Sequence, residues 1–115
     1  MKTVILQKLR KQEESSILLA ERYYTILSAV NGLKLTQREI QLVAFAAIRG
    51  NISYANIRKD FCEAYGTTNP SVYNIISKLK RMGVLVKDGT KVKVNPQILL
   101  NFDNDVTLEL RLVHG

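Results

Sequence analysis

Residues Thr67 to Asn95 read TTNPSVYNIISKLKRMGVLVKDGTKVKVN, and the order of residue types in this stretch predicts a helix followed directly by a β-hairpin. Asn69 is suited to cap a helix over 70–82 whose first residue is Pro70, because proline has no N–H to leave orphaned in the first turn and its φ is already helical. Val72, Ile75, Ile76, Leu79 and Met82 recur at helical spacing, so one side of that helix must face a core. The opposite side carries Ser71, Tyr73, Asn74, Ser77, Lys78 and Arg81, a face chemically suited to nucleic acid. Gly83 stops the helix by adopting a left-handed conformation, and Val84-Leu85-Val86 begins a strand. Asp88-Gly89 is expected to supply both positive-φ residues of a tight turn. Lys91-Val92-Lys93-Val94 then alternates back, with lysines on one face and valines on the other.

Outward from this stretch, 115 residues suffice for one domain with a real core. A chain with 46% hydrophobic and 23% charged residues fits neither the disordered nor the membrane class, which leaves a soluble globular protein as the expectation. The net charge of +7 is concentrated: Lys78, Lys80, Arg81, Lys87, Lys91 and Lys93 stand against Asp88 alone between Thr67 and Asn95. Such clustering is an electrostatic footprint for a polyanion. Cys62 is the single cysteine, so the chain has no internal disulfide; its expected role is that of a small apolar residue inside a helix. The apolar run after Met1 is too short for a signal peptide and no run approaches a membrane span, so a cytoplasmic location is expected.

From the N-terminus, Lys2 to Gln12 reads either as a short strand or as a basic arm with Lys8, Arg10 and Lys11. A helix over 13–31 follows, acidic at its start and ending at Asn31-Gly32. Its apolar residues form two overlapping rows, Ile17-Ala20-Tyr24-Leu27 and Leu19-Tyr23-Ile26-Val30. Either both rows are buried within the domain or one of them packs against a second subunit. Leu35 to Ile40 is a strong helix start, with Thr36 and Glu39 spaced as a capping box and Leu35 and Ile40 as a hydrophobic staple. The helix runs to about Arg49, almost without a polar face, and is expected to be the most buried. Asn51-Ile52 has room for a very short strand, after which Ser53 is placed to cap a helix ending at Gly66, with Ile57, Phe61 and Ala64 inward. Arg58 and Lys59 on its outer side are either solvated charges or phosphate contacts. Beyond the hairpin, Asn95-Pro96 should open a short helix, Phe102 should pack, and Val106-Thr-Leu-Glu-Leu-Arg-Leu112 alternates as a strand seeking a partner.

The order helix, short strand, helix, turn, helix, basic hairpin over residues 35–100 resembles a winged helix-turn-helix domain. The passages ISYANIRKDF, NPSVYNIISKLKRMGVL and KVKVNPQIL carry the likeness. The last two are similar to winged helices of plasmid and phage replication initiators, and NPSVYNIISKLKRMGVL is also similar to those of bacterial transcription regulators. The resemblance implies an α+β fold, mainly α: a winged helix-turn-helix with an extra N-terminal helix at 13–31 and a C-terminal β-strand at 106–113, in one domain spanning 1–115. It also implies double-stranded DNA as partner, with helix 70–82 in the major groove and the wing, 84–95, on the phosphate backbone. Carried over by position, Ser71, Tyr73, Asn74, Ser77 and Lys78 would meet base edges or nearby phosphates. Thr68, Arg81, Lys87, Lys91 and Lys93 would meet the backbone. The first turns of the helix contain no arginine, the residue most often used to read guanine, so readout is expected to lean on DNA shape. Each of these residues also has a purely structural role open to it: Tyr73 packing on Tyr54 or the wing, the wing lysines guarding a sheet edge.

Catalysis is not expected. The one histidine, His114, lies beside the C-terminus, no cysteine–histidine spacing suits zinc, no glycine-rich loop suits a phosphate, and Asp103 and Asp105 fit a polar turn. No metal or cofactor is therefore predicted. Two roles remain open: a transcriptional regulator or replication factor of bacterial or phage type, or a winged-helix interaction or assembly module that does not bind DNA. A homodimer through the N-terminal helix or the C-terminal strand is compatible with either.

Overall fold

The computed structural model describes residues 2–107, and for residues 2–12 it describes the backbone alone. Four helices precede a two-stranded hairpin: α1 (Lys2–Val30), α2 (Gln37–Arg49), α3 (Ala55–Tyr65), α4 (Asn69–Arg81), β1 (Leu85–Asp88) and β2 (Lys91–Val94), followed by a single 3-10 turn, Pro96–Ile98. The fold is thus α+β and mainly α.

The first helix departs from expectation. Residues 2–12 are neither strand nor arm but the first three turns of α1, which is continuous for 29 residues. With no glycine or proline between Lys2 and Val30, nothing interrupts the backbone ladder, and the brief alternation near the N-terminus does not override it. Long as it is, neither α1 nor any other helix among the described residues is apolar enough to cross a membrane. Helix α1 lies along α2, with Ser16, Ala20, Tyr23, Tyr24 and Ser28 buried. Its second apolar row divides: Tyr23 is buried, whereas Ile26 and Val30 face solvent, as does Leu18.

Helix α2 is the centre of the core, with Ile40 to Ala46 buried apart from half-buried Gln41. Its start is the expected capping box: the Thr36 hydroxyl accepts from the Glu39 amide at 3.2 Å while Glu39 Oε1 accepts from the Thr36 amide at 2.8 Å. Around it pack Phe61 of α3, Val72, Ile76 and Leu79 of α4, and Leu85 and Val94 of the hairpin. Burying each such side chain is worth about 1.5–3 kcal/mol, so the apolar stripe of α4 alone fixes that helix to the core.

Several local expectations shift by a residue. Thr68, not Asn69, caps α4: its backbone is extended and its Oγ1 accepts from the Ser71 amide, which places Asn69 and Pro70 in the first turn and ends the helix at Arg81 rather than Met82. Ser53 does not cap α3. The N-cap is Tyr54, without a side-chain bond, and the buried Asn51 fills the gap by accepting from the amides of Ser53 and Tyr54 at 3.1 and 3.2 Å. Ile52 forms no strand; its amide donates a single bond to the Val92 carbonyl (2.9 Å), and the Val92 amide donates back to the Ser53 hydroxyl (3.0 Å).

The hairpin register pairs Leu85 with Val94 and Asp88 with Lys91, so the two loop residues are Gly89-Thr90 instead of Asp88-Gly89. Gly89 alone takes positive φ (+63°), and Asp88 stays in the strand. This register buries Leu85 and Val94 together at the base, which a one-residue slip would undo. Gly83 (φ +78°) ends α4 as expected, with the Val84 amide donating to the Leu79 carbonyl. Asn95 caps the expected short helix, which is a single 3-10 turn, and its side-chain amide donates to the Gly83 carbonyl at 3.0 Å. Phe102 is buried against Tyr23 and Tyr24, with ring centroids 5.6 and 5.7 Å away. Of the C-terminal strand expected at 106–113, Val106 and Thr107 are not in a strand, and 108–113 lie outside the described residues.

Candidate nucleic-acid interface

Helix α4 turns Val72, Ile76 and Leu79 inward, and by the 3.6-residue period the residues between them face solvent. Ser71, Tyr73, Asn74, Ser77 and Arg81 are all exposed there, with Lys80 beside them. Thr68 is exposed at the helix start, where its hydroxyl donates to Ser71 Oγ at 3.1 Å. The two hydroxyls nearest the N-terminus of α4 are therefore linked to each other as well as to solvent.

The first turn of α3 joins this face to the hairpin. The Arg58 guanidinium stands 4.9 Å from the ring centroid of Tyr73, and one turn earlier Tyr54 has Lys91 Nζ 6.0 Å from its ring. Arg58 also donates to the Ser53 carbonyl. Two cation–ring pairs therefore flank the start of α3: Lys91 on Tyr54 reaches β2, and Arg58 on Tyr73 reaches α4. Such contacts contribute roughly 0.5–1 kcal/mol each at exposed sites and restrain the Tyr73 ring against Arg58. Tyr73 remains half exposed despite this packing. The packing partner that the structure gives its ring is Arg58. Arg58 was expected as a solvated charge or a phosphate contact and Tyr54 as a packing partner of Tyr73, and neither was placed at the centre of the surface; an aromatic at 54 with a cation at 58 shares one helical face, which was the available signal.

The cations divide into two groups. Lys78 Nζ is 2.8 Å from Glu39 Oε2, and Glu39 is only 5% exposed, so this lysine ties α4 to α2. Burial pushes the Glu39 carboxyl up, but the Lys78 ammonium and the Thr36 amide outweigh it and hold the group below its ordinary value. Lys93 Nζ is 2.7 Å from Asp88 Oδ2 across the hairpin, and this bond, reinforced by the same charge, lowers the Asp88 carboxyl. Lys80, Arg81, Lys87 and Lys91 have no carboxylate at ion-pair distance among the described residues. The expected set therefore splits physically: Lys78 and Lys93 are neutralised within the chain, and Arg81, Lys87 and Lys91 retain a free charge.

Among the described residues no group of His, Cys, Asp and Glu could hold a metal ion. Comparison with protein-family models, curated proteins and solved structures gave no match.

Proposed function

We propose that the chain is a winged-helix DNA-binding protein, a transcriptional regulator or replication factor of bacterial or phage type, that lays α4 in a major groove and the hairpin on the flanking phosphates. The observation that carries this reading is that the start of α3 makes a cation–ring contact to each neighbour, Arg58 to Tyr73 of α4 and Tyr54 to Lys91 of the hairpin, which sets the polar face of α4 and the basic hairpin beside the same helix start. Ser71, Tyr73, Asn74 and Ser77 supply the donors, acceptors and ring suited to base edges, and an asparagine can bond adenine through two atoms. Arg81, Lys87 and Lys91, with Lys80 beside them, supply uncompensated charge for phosphates.

Fluorescence anisotropy on duplex DNA over a range of salt concentrations tests the reading. Four free cations correspond to a log–log slope of roughly −3 to −4, and each phosphate contact removed lowers it by about 0.9. Lys87→Gln/Lys91→Gln should flatten the slope by nearly two, whereas Lys93→Gln, which only releases Asp88, should change it little. Absence of binding at low salt, or a slope indifferent to Lys87 and Lys91, refutes the reading. It would then favour the alternative of an interaction or assembly module, for which the exposed Leu18, Ile26 and Val30 of α1 are the supporting observation.

A further inference from the structure

A groove of about 440 Å³ lies between α1 and α3, over α2, and shares no residue with the α4–hairpin surface. Its floor is apolar and aromatic, formed by Ile17, Phe45 and Tyr65. Its walls are acidic: Glu13, Glu14 and Asp60 line one end and Glu21 the other. Arg49 is the one cation lining it among the described residues, and it is spent between Asp60 (2.8 Å) and Glu13 (4.0 Å). In a chain with ten acidic residues and a net charge of +7, gathering four carboxylates here makes the groove a negative recess on a positive protein. Tyr65 feels the same field: burial and then Glu21 push its phenol up to about 12. Leu18, at the lip, is 54% exposed, and Gln41 Oε1 beneath the groove has no hydrogen-bond partner among the described residues. A negative, aromatic-floored recess with an uncovered leucine and an unused acceptor calls for a basic, partly apolar helix.

The chain itself contains one. Residues 2–11, KTVILQKLRK, carry Lys2, Lys8, Arg10 and Lys11 with Val4, Ile5, Leu6 and Leu9, and they are helical and continuous with the groove-lining part of α1. They cannot fold back into their own groove without breaking α1, but those of a second copy can reach it. We propose that two chains form an antiparallel dimer in which residues 2–11 of each occupy the α1–α3 groove of the other. With the two-fold axis near Gln12, register alone sets Lys11 opposite the partner's Glu13, Arg10 opposite the partner's Glu14 and Leu6 opposite the partner's Leu18. The arrangement is closed, because one rotation fills both grooves and leaves no open site for a third chain. The lengths agree, since ten helical residues extend about 15 Å and the stretch of α1 from Glu13 to Glu21 about 12 Å at the usual rise. Opposite charges beside the axis, Lys11 and Arg10 against the partner's Glu13 and Glu14, fix the antiparallel direction, a parallel pair placing like charges together. This inference does not depend on the DNA reading.

Sedimentation velocity on the full chain at about 100 µM, where a micromolar dimer is almost fully formed, tests it. The wild type should sediment at twice the chain mass and dissociate as salt is raised. Arg10→Glu/Lys11→Glu and, separately, Glu13→Lys/Glu14→Lys should each give monomers, with helical circular dichroism retained. Combining the four substitutions restores opposite charges in reversed sense and should restore the dimer. A wild type that remains monomeric, a dimer unaffected by either pair, or a combined variant that stays monomeric overturns the proposal.

Discussion

Replacing Lys78 with methionine removes an ammonium while keeping the length and apolar stem of the side chain, and so isolates the ion pair to Glu39. Breaking one partner out of a fully buried pair costs about 3–5 kcal/mol. Here the Glu39 side chain is 6% exposed but that of Lys78 is 44% exposed, so water already screens part of the attraction, and the Thr36 amide remains to bond the carboxylate. Those two facts reduce the expected loss to about 1–2 kcal/mol at neutral pH. The pH dependence is more diagnostic than the size. In the wild type the Glu39 carboxyl lies below its ordinary value of 4.5, so its contribution is complete above that value and is lost as pH falls through the folded-state value. In Lys78→Met the carboxyl loses the ammonium that lowers it and moves up from its wild-type position, so the variant's deficit should be widest near pH 7 and narrow towards pH 4. Urea denaturation of both proteins at the two pH values measures this, and Lys78→Met/Glu39→Gln should recover most of the loss. A deficit of a few tenths of a kcal/mol, or one that does not change with pH, would refute the assignment of Lys78 to the α2–α4 contact.

Other substitutions probe single contacts. Phe102→Ala empties a site 4% exposed between two tyrosine rings and should cost about 3–4 kcal/mol in chemical denaturation; a loss under about 1 kcal/mol would mean that the segment after the 3-10 turn is not part of the core. Asn51→Ala leaves the Ser53 and Tyr54 amides without their acceptor and should cost about 1–3 kcal/mol, with Asn51→Asp largely retaining stability in the same assay. A Cβ at Gly89 meets open space, so the penalty of Gly89→Val is mainly that of a β-branched residue at φ +63°, about 1–2 kcal/mol. Gly89→Asn should recover most of that, since asparagine tolerates the left-handed region; equal losses in the two variants would argue against a backbone origin.

What could be read from the sequence was what is decided locally. The capping box at Thr36 and Glu39 lies within one turn, and the stop at Gly83 needs only its neighbours, so both were legible. The solvent face of α4 followed from the same period that buried Val72, Ile76 and Leu79. Boundary errors arose where two residues compete for one role: Thr68 and Asn69 can both cap, and Pro70 is acceptable as first or second helical residue, so tertiary placement decides. The hairpin loop was misassigned because Asp88-Gly89 is the stronger local turn signal, whereas burial of Leu85 with Val94 sets the register. At the candidate site, the pairing of Lys78 with Glu39 and the stacking of Arg58 on Tyr73 join residues 39 and 15 positions apart on different helices. No periodicity reports such contacts, and they reassign Lys78 and set Arg58 against Tyr73.

The hairpin is tethered at its base and free at its tip. Ile52 and Ser53 hold Val92, while Asn95 holds Val84 through its backbone and Gly83 through its side chain. Beyond these points Lys87 to Thr90 contact solvent, and Lys93–Asp88 is an internal brace. The tip is therefore a module that can be lengthened, recharged or reshaped without entering the core, and variants confined to residues 87–90 would change what the protein touches while leaving its folding nearly unaltered.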